Sequence, residues 1–256
     1  EINGDVNSYA HVVSENDESE VESSEVKLDS FKKQPSLNKK IWPNNKLNSK
    51  VRLRLLDISD KFWDSLNITW YHPKDAIITG SICNYNWSKF SDIDLHIIVD
   101  FSKVDKRTEF VKEFFDSEKN NFNSQHQDLK IFGFPIELYV QDISEVNIST
   151  GMYSLYKNKW IKEPDSKNIK EIGLNKYEIK EKSAYFMTCI DELKDEFNST
   201  DDDAKLRKIL RKAQSLKLRI KRMRKNDLEK NGEMSIGNIV FKTLRRTEYM
   251  GDLLHL

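Results

Sequence analysis

Three carboxylates and a Gly-Ser turn are the residues of this chain whose types and spacing could do chemistry. Asp92 and Asp94 stand one residue apart at the head of an apolar stretch, "DIDLHIIVD". An extended backbone repeats every two residues, so both carboxylates reach the same side of a strand. Glu137, in "PIELYV", has the same setting: Ile136, Leu138 and Val140 share one face and the glutamate takes the other. Carboxylates gathered on one polar face repel one another unless a cation lies between them. An all-oxygen, anionic donor set suits Mg²⁺ or Mn²⁺. Two such ions about 4 Å apart can activate an attacking hydroxyl and hold a leaving phosphate. Gly80-Ser81 closes the preceding apolar run, "DAIITGS". Glycine lets a backbone approach phosphate oxygens closely, and a serine hydroxyl can donate to them. Lys89, in the spacer between turn and strand, either reaches a triphosphate or stays in solvent. Together these parts describe metal-assisted nucleotidyl transfer from an NTP. His96 shares the face of the two aspartates and reads as a polar wall residue. Cys83 reads as an incidental thiol.

These residues need a scaffold, and the hydrophobic periodicity supplies one. Val51, Leu55, Ile58, Phe62 and Leu66 recur at helical spacing. A short strand over 75–79 runs into Gly80-Ser81, and residues 92–99 alternate as a second strand. A helix follows over about 105–119, with Phe110, Val111, Phe114 and Phe115 as its apolar side. "DLKIFGFPIELYV" predicts two strands turned at Gly133-Phe134-Pro135. Helix, strand, turn, strand, helix, strand, strand make a small α/β (α+β) unit with a mixed sheet over 46–165. From 166 to 256 the pattern is helical, with helices over 177–198, 202–226 and 235–250. Leu206, Ile209, Leu210, Ala213, Leu216, Ile220 and Met223 form an apolar stripe on the second. Residues 1–45 read as a disordered acidic tail followed by a basic linker.

Charge is distributed unevenly. The first 30 residues hold nine acids against Lys27, while the remainder holds 41 basic and 33 acidic residues. The net charge of zero therefore conceals a basic body with a reason to attract phosphates. Its densest part is the run of Lys205, Arg207, Lys208, Arg211, Lys212, Lys217, Arg219, Lys221, Arg222, Arg224 and Lys225. That run is either a solvated face or a wall that guides a triphosphate or nucleic-acid backbone. Two cysteines, Cys83 and Cys189, are too few for a disulfide framework or a zinc cluster. No stretch has the length of a membrane span, so a cytoplasmic protein with no membrane partner is expected.

"GSICNYNWSKFSDIDLHI" resembles the Gly-Ser, spacer, Asp-x-Asp signature of the DNA polymerase β-like nucleotidyltransferase superfamily, and "PIELYV" is similar to its third-carboxylate strand. The resemblance covers about residues 47–160. "YNWSKFSDIDLHIIVDF", "IELYVQD" and "YSLYKNKW" also look like predicted nucleotidyltransferases of large tailed bacteriophages. The resemblance implies that Gly80 and Ser81 meet the phosphates and that Asp92 and Asp94 bind two Mg²⁺ or Mn²⁺ ions. Glu137 completes the set, at a position where aspartate is frequent in the superfamily. The implied reaction moves a nucleoside monophosphate from an NTP to a hydroxyl, with pyrophosphate released. The acceptor class stays open among RNA, a protein side chain and a small molecule. A phage origin would place the protein in the host cytoplasm or the virion, with a phage or virion partner. Two other readings accompany this one: a catalytically silent binding or structural protein with the same fold, and a synthase of oligonucleotide signals.

Overall fold

The structure, a computed structural model, describes residues 21–147, 149–168 and 175–255. It is an α+β protein with a six-stranded mixed sheet and a helical C-terminal region. Contacts divide the chain at Leu28/Asp29 and Ile172/Gly173. One unit carries the sheet, and the other joins residues 21–28 to 175–255.

In the sheet unit, β1 (Asp75–Thr79), β2 (Ile93–Val99), β3 (Lys130–Ile131), β4 (Phe134–Asp142), β5 (Met152–Ser154) and β6 (Lys159–Lys162) lie in the order β3-β4-β2-β1-β5-β6. Every paired neighbour is antiparallel except β2 and β4. That parallel pair is joined by a crossover through α2 (Phe101–Val104) and α3 (Thr108–Gln125). Alternation decides which side chains are buried. Ile93, Leu95, Ile97 and Val99 share a core with Leu138, with Val51, Leu55, Ile58 and Phe62 of α1 (Ser49–Ser65), and with Val111 and Phe115 of α3. Their neighbours Asp94, His96 and Ile98 stay half-buried on the other face.

β4 borders the two-residue β3 at its start only, so most of its outer edge lacks a strand neighbour. Asn123 of α3 closes part of that edge. Its amide donates to the Leu138 carbonyl at 2.9 Å and accepts from the Leu138 N–H at 3.0 Å. A side-chain amide thus replaces one rung of the missing strand and satisfies two backbone groups beside the functional strand.

In the sheet unit three expectations change. The linker ending at residue 45 is part of the folded unit: Leu37, Ile41 and Trp42 are buried in the sheet's core. Trp42 donates its indole N–H to the Ile82 carbonyl at 2.8 Å and stacks on Trp160 with ring centroids 4.4 Å apart. Of the basic residues of 31–40, Lys32, Lys39 and Lys40 are exposed and Lys33 is half-buried, whereas the apolar residues Phe31, Leu37, Ile41 and Trp42 are the ones that pack. The acidic stretch over 1–20 lies outside the described residues. The hairpin turn falls one residue earlier than expected, at Phe132-Gly133, with φ of 52° and 89°; two left-handed residues match the right-handed strand twist. Phe110 is 60 % exposed instead of apolar-side core, with the Arg107 guanidinium 5.3 Å from its ring centre.

The helical unit contains α4 (Lys176–Asn198), α5 (Asp203–Asn231), α6 (Ile236–Arg246) and α7 (Tyr249–His255). The stretch expected as one helix over 235–250 breaks at Thr247-Glu248, where Glu248 adopts a φ of 69°. Asp202 caps α5 by accepting from the Lys205 N–H at 2.9 Å. Val26 and Leu28 are buried with Ile179, Ile190, Ile209, Ile220 and Val240 among the core residues of this unit. Leu210, expected in the apolar stripe of α5, is 41 % exposed.

Candidate functional site

Asp94 is the centre of the site because of where β2 lies. Across the antiparallel pairing it sits opposite Thr79, the last residue of β1, and across the parallel pairing opposite Glu137 of β4. Asp92 precedes β2 by one residue. The strand period brings all three carboxylates together: one oxygen from each of Asp92, Asp94 and Glu137 lies within 4.8 Å of the others, and all three residues are half-buried. Donors that are all hard anionic oxygens at such separations fit one or two Mg²⁺ or Mn²⁺ ions and leave positions for substrate oxygens.

Gly80 is held against this cluster. Its φ of 77° lies in the left-handed region, and a Cβ at this position would fall 1.9 Å from the Asp94 Oδ2. The backbone that follows β1 therefore passes directly over the Asp94 carboxylate, which only glycine permits. Ser81 starts a 3-10 turn through Cys83, and its hydroxyl shares a 2.7 Å hydrogen bond with that of Ser91. Ser91 also accepts from the Ser88 N–H at 3.0 Å, which ties the spacer loop to the turn next to Asp92. Lys89 is exposed, with its ammonium 5.0 Å from the Phe90 ring centre. Cys83 is fully buried, and burial above all, with the Asp94 charge, pushes its thiol well above the usual range. Such a thiol is inert as a nucleophile.

Strand alternation adds residues that the sequence reading passed over. Tyr139 lies two positions beyond Glu137, on the same face. Burial, then the Glu137 carboxylate, then Asp94 and Asp92, keep the phenol protonated far above its ordinary range. A phenol that stays protonated can donate to the neighbouring carboxylate. His96 stacks on Tyr139 with centroids 4.8 Å apart, and its Nδ1 lies 2.8 Å from the Gln141 Oε1. Burial pulls its pKa down to about 4; the Gln141 bond opposes the shift and the Lys119 charge adds to it. The imidazole is thus a neutral spacer of the wall, as expected. A period-two reading continued from Glu137 through Tyr139 to Gln141 contains the signal for this row.

Comparison of the chain with protein-family models, with curated proteins and with solved structures returned no match.

Proposed function

We propose that the chain is a metal-dependent nucleotidyltransferase of the DNA polymerase β-like class, which transfers a nucleoside monophosphate from an NTP to a hydroxyl acceptor. The observation that carries this reading is the meeting of Asp92, Asp94 and Glu137 within 4.8 Å under a left-handed glycine turn. Bound Mg²⁺ would supply the charge that lowers the acceptor hydroxyl's pKa and neutralises the leaving pyrophosphate. Asp92 and Asp94 would hold ions on the triphosphate side, and Glu137, two residues from Tyr139 on the same strand face, would complete the set nearest the attacking hydroxyl. The Gly80-Ser81 backbone would approach the phosphates, where a Cβ would obstruct it. Among the described residues no helix is long and apolar enough to cross a membrane.

The test is incubation with each labelled NTP, Mg²⁺ or Mn²⁺, and a panel of RNA, protein and small-molecule acceptors. Transfer by the wild type, lost by several orders of magnitude in Asp92→Asn/Asp94→Asn, supports the reading; each tenfold is about 1.4 kcal/mol of barrier. Product formed from NTPs alone would make the chain an oligonucleotide-signal synthase. A wild type that binds neither Mg²⁺ nor NTP would make it a silent scaffold.

A further inference from the structure

A second feature of the sheet unit is a groove of about 690 Å³ bounded by Pro35, Trp87, Lys89, Phe132 and Phe134, with Lys39 and Lys40 along its rim. Three separate segments build it, and two of them are fastened together. Trp87 donates its indole N–H to the Ser36 carbonyl at 2.8 Å, and Gln34 donates to the Trp87 carbonyl at 3.0 Å. The third wall is the Phe132-Gly133 turn, which leaves the Phe132 ring half-exposed. Phe132 is exposed, Trp87 half-buried and Phe134 buried; three exposed lysines supply the charge, and no carboxylate lines the groove. Among the described residues none of the three ammonium groups forms an ion pair.

Two of the groove's segments continue in sequence into the carboxylate site. Lys89 lies three residues before Asp92, and Phe134 three residues before Glu137 on the same strand, Phe134 on the buried face and Glu137 on the opposite one. At about 3.3 Å per strand residue, Phe134 and Glu137 stand about 10 Å apart along β4. Rings that accept stacked bases, beside free cations that accept a phosphate backbone, are the means by which proteins hold single strands without reading sequence.

We propose that this groove binds a single-stranded nucleic acid and presents its terminal hydroxyl to the carboxylate cluster. The acceptor role rests on the nucleotidyltransferase reading; the binding itself does not. Charge complementarity selects the occupant: an apolar peptide would leave three lysines unanswered, whereas a single strand matches both rings and cations.

The test is fluorescence anisotropy of the full chain with labelled oligouridylate and oligothymidylate as separate arms, in EDTA, over a salt series. Lys39→Gln/Lys40→Gln is expected to weaken binding at least tenfold. It should also reduce the slope of log affinity against log salt by about 1.4, at about 0.7 per single-strand phosphate contact. Lys39→Arg/Lys40→Arg should restore both. Phe132→Ala should weaken binding about fivefold or more with the slope unchanged, because stacking is not ionic. Thermal melts that match wild type show that the variants are folded. Asp92→Asn/Asp94→Asn should still bind the strand while losing stabilisation by Mg²⁺ and NTP, so the groove and the metal site can fail separately. Absence of strand binding at low salt overturns the proposal, as does a lysine variant with wild-type slope. Displacement by polyglutamate together with an indifferent Phe132→Ala variant also overturns it, in favour of an acidic protein segment.

Discussion

Asp94 and Glu137 face each other directly across the parallel pair β2 and β4. Like charges opposite each other on neighbouring strands destabilise a sheet by about 0.2–1 kcal/mol. In EDTA, Asp94→Asn is therefore expected to match or exceed the wild type in stability by up to about 1 kcal/mol, read by urea unfolding. Millimolar Mg²⁺ or Mn²⁺ should then stabilise the wild type by mass action and leave the variant where it was. A wild type indifferent to both ions would remove the metal from the account.

Gly80→Ala separates a steric requirement from a conformational one. At Gly80 a methyl group would collide with the Asp94 Oδ2, in a backbone that already disfavours alanine. At Gly133 φ is 89° but nothing lies within 4 Å of the added carbon. Both variants should lose about 1 kcal/mol or more from the left-handed backbone. Only Gly80→Ala should also lose the Mg²⁺-dependent shift in melting temperature. Equal metal responses in the two would show that Gly80 does not position Asp94.

The carboxylate site was legible in the sequence because it depends on strand period and two local motifs. Asp92, Asp94, Glu137 and Gly80 need no knowledge of distant contacts beyond the pairing of two strands. Trp42 was not legible, since its burial depends on Ile82, Tyr153 and Trp160, which are remote in sequence. Composition averaged over 1–45 diluted the few apolar residues of 26–42 with lysines and serines. The turn lies at Phe132-Gly133 because Pro135, a residue common in turns, is here part of β4, opposite Lys130.

Trp42→Ala tests that correction. Trp42 is 1 % exposed and touches both the Ile82 carbonyl and two aromatic rings. Emptying such a site costs about 3–5 kcal/mol, a large share of the 5–15 kcal/mol typical of a domain. Chemical denaturation followed by fluorescence of the remaining tryptophans would read it. A cost below about 0.5 kcal/mol, the usual range for surface changes, would return the stretch ending at residue 45 to the role of linker.

His96 gives the metal-free protein an acid sensitivity. Its pKa is about 4 in the folded state against 6.5 when unperturbed, so between those values the unfolded chain binds a proton that the folded chain does not. Stability from this group is complete above pH 6.5 and falls as pH drops toward 4. The full loss is about 3 kcal/mol. In EDTA, the wild type should lose that much more stability over this window than His96→Gln. Proton NMR of the imidazole should show it neutral down to about pH 4. Titration near 6.5 would mean that the Gln141–His96–Tyr139 row is open to water.

The basic run of α5 is not uniform, and its parts should separate on substitution. The Arg219 guanidinium lies 5.7 Å from the ring centres of both Tyr185 and Phe186. Arg224 is 4.3 Å from the Phe241 ring centre and donates to the Asn238 Oδ1, and Lys212 pairs with Glu196 at 2.8 Å. These three belong to the packing of the helical unit. Arg211 and Arg222 are exposed. Arg219→Ala should therefore cost about 0.5–1 kcal/mol of stability, the worth of an exposed cation–π contact, with little effect on the salt dependence of nucleic-acid binding. Arg211→Glu/Arg222→Glu should leave the melting temperature unchanged. If the helix meets phosphates, it should lower the salt slope by about 0.7 per contact removed. The argument rests on the difference between the two variants, because each controls for the other's failure. A charge-reversed helix with wild-type affinity and slope would show a face that serves solubility, and would leave Lys39 and Lys40 to account for strand binding.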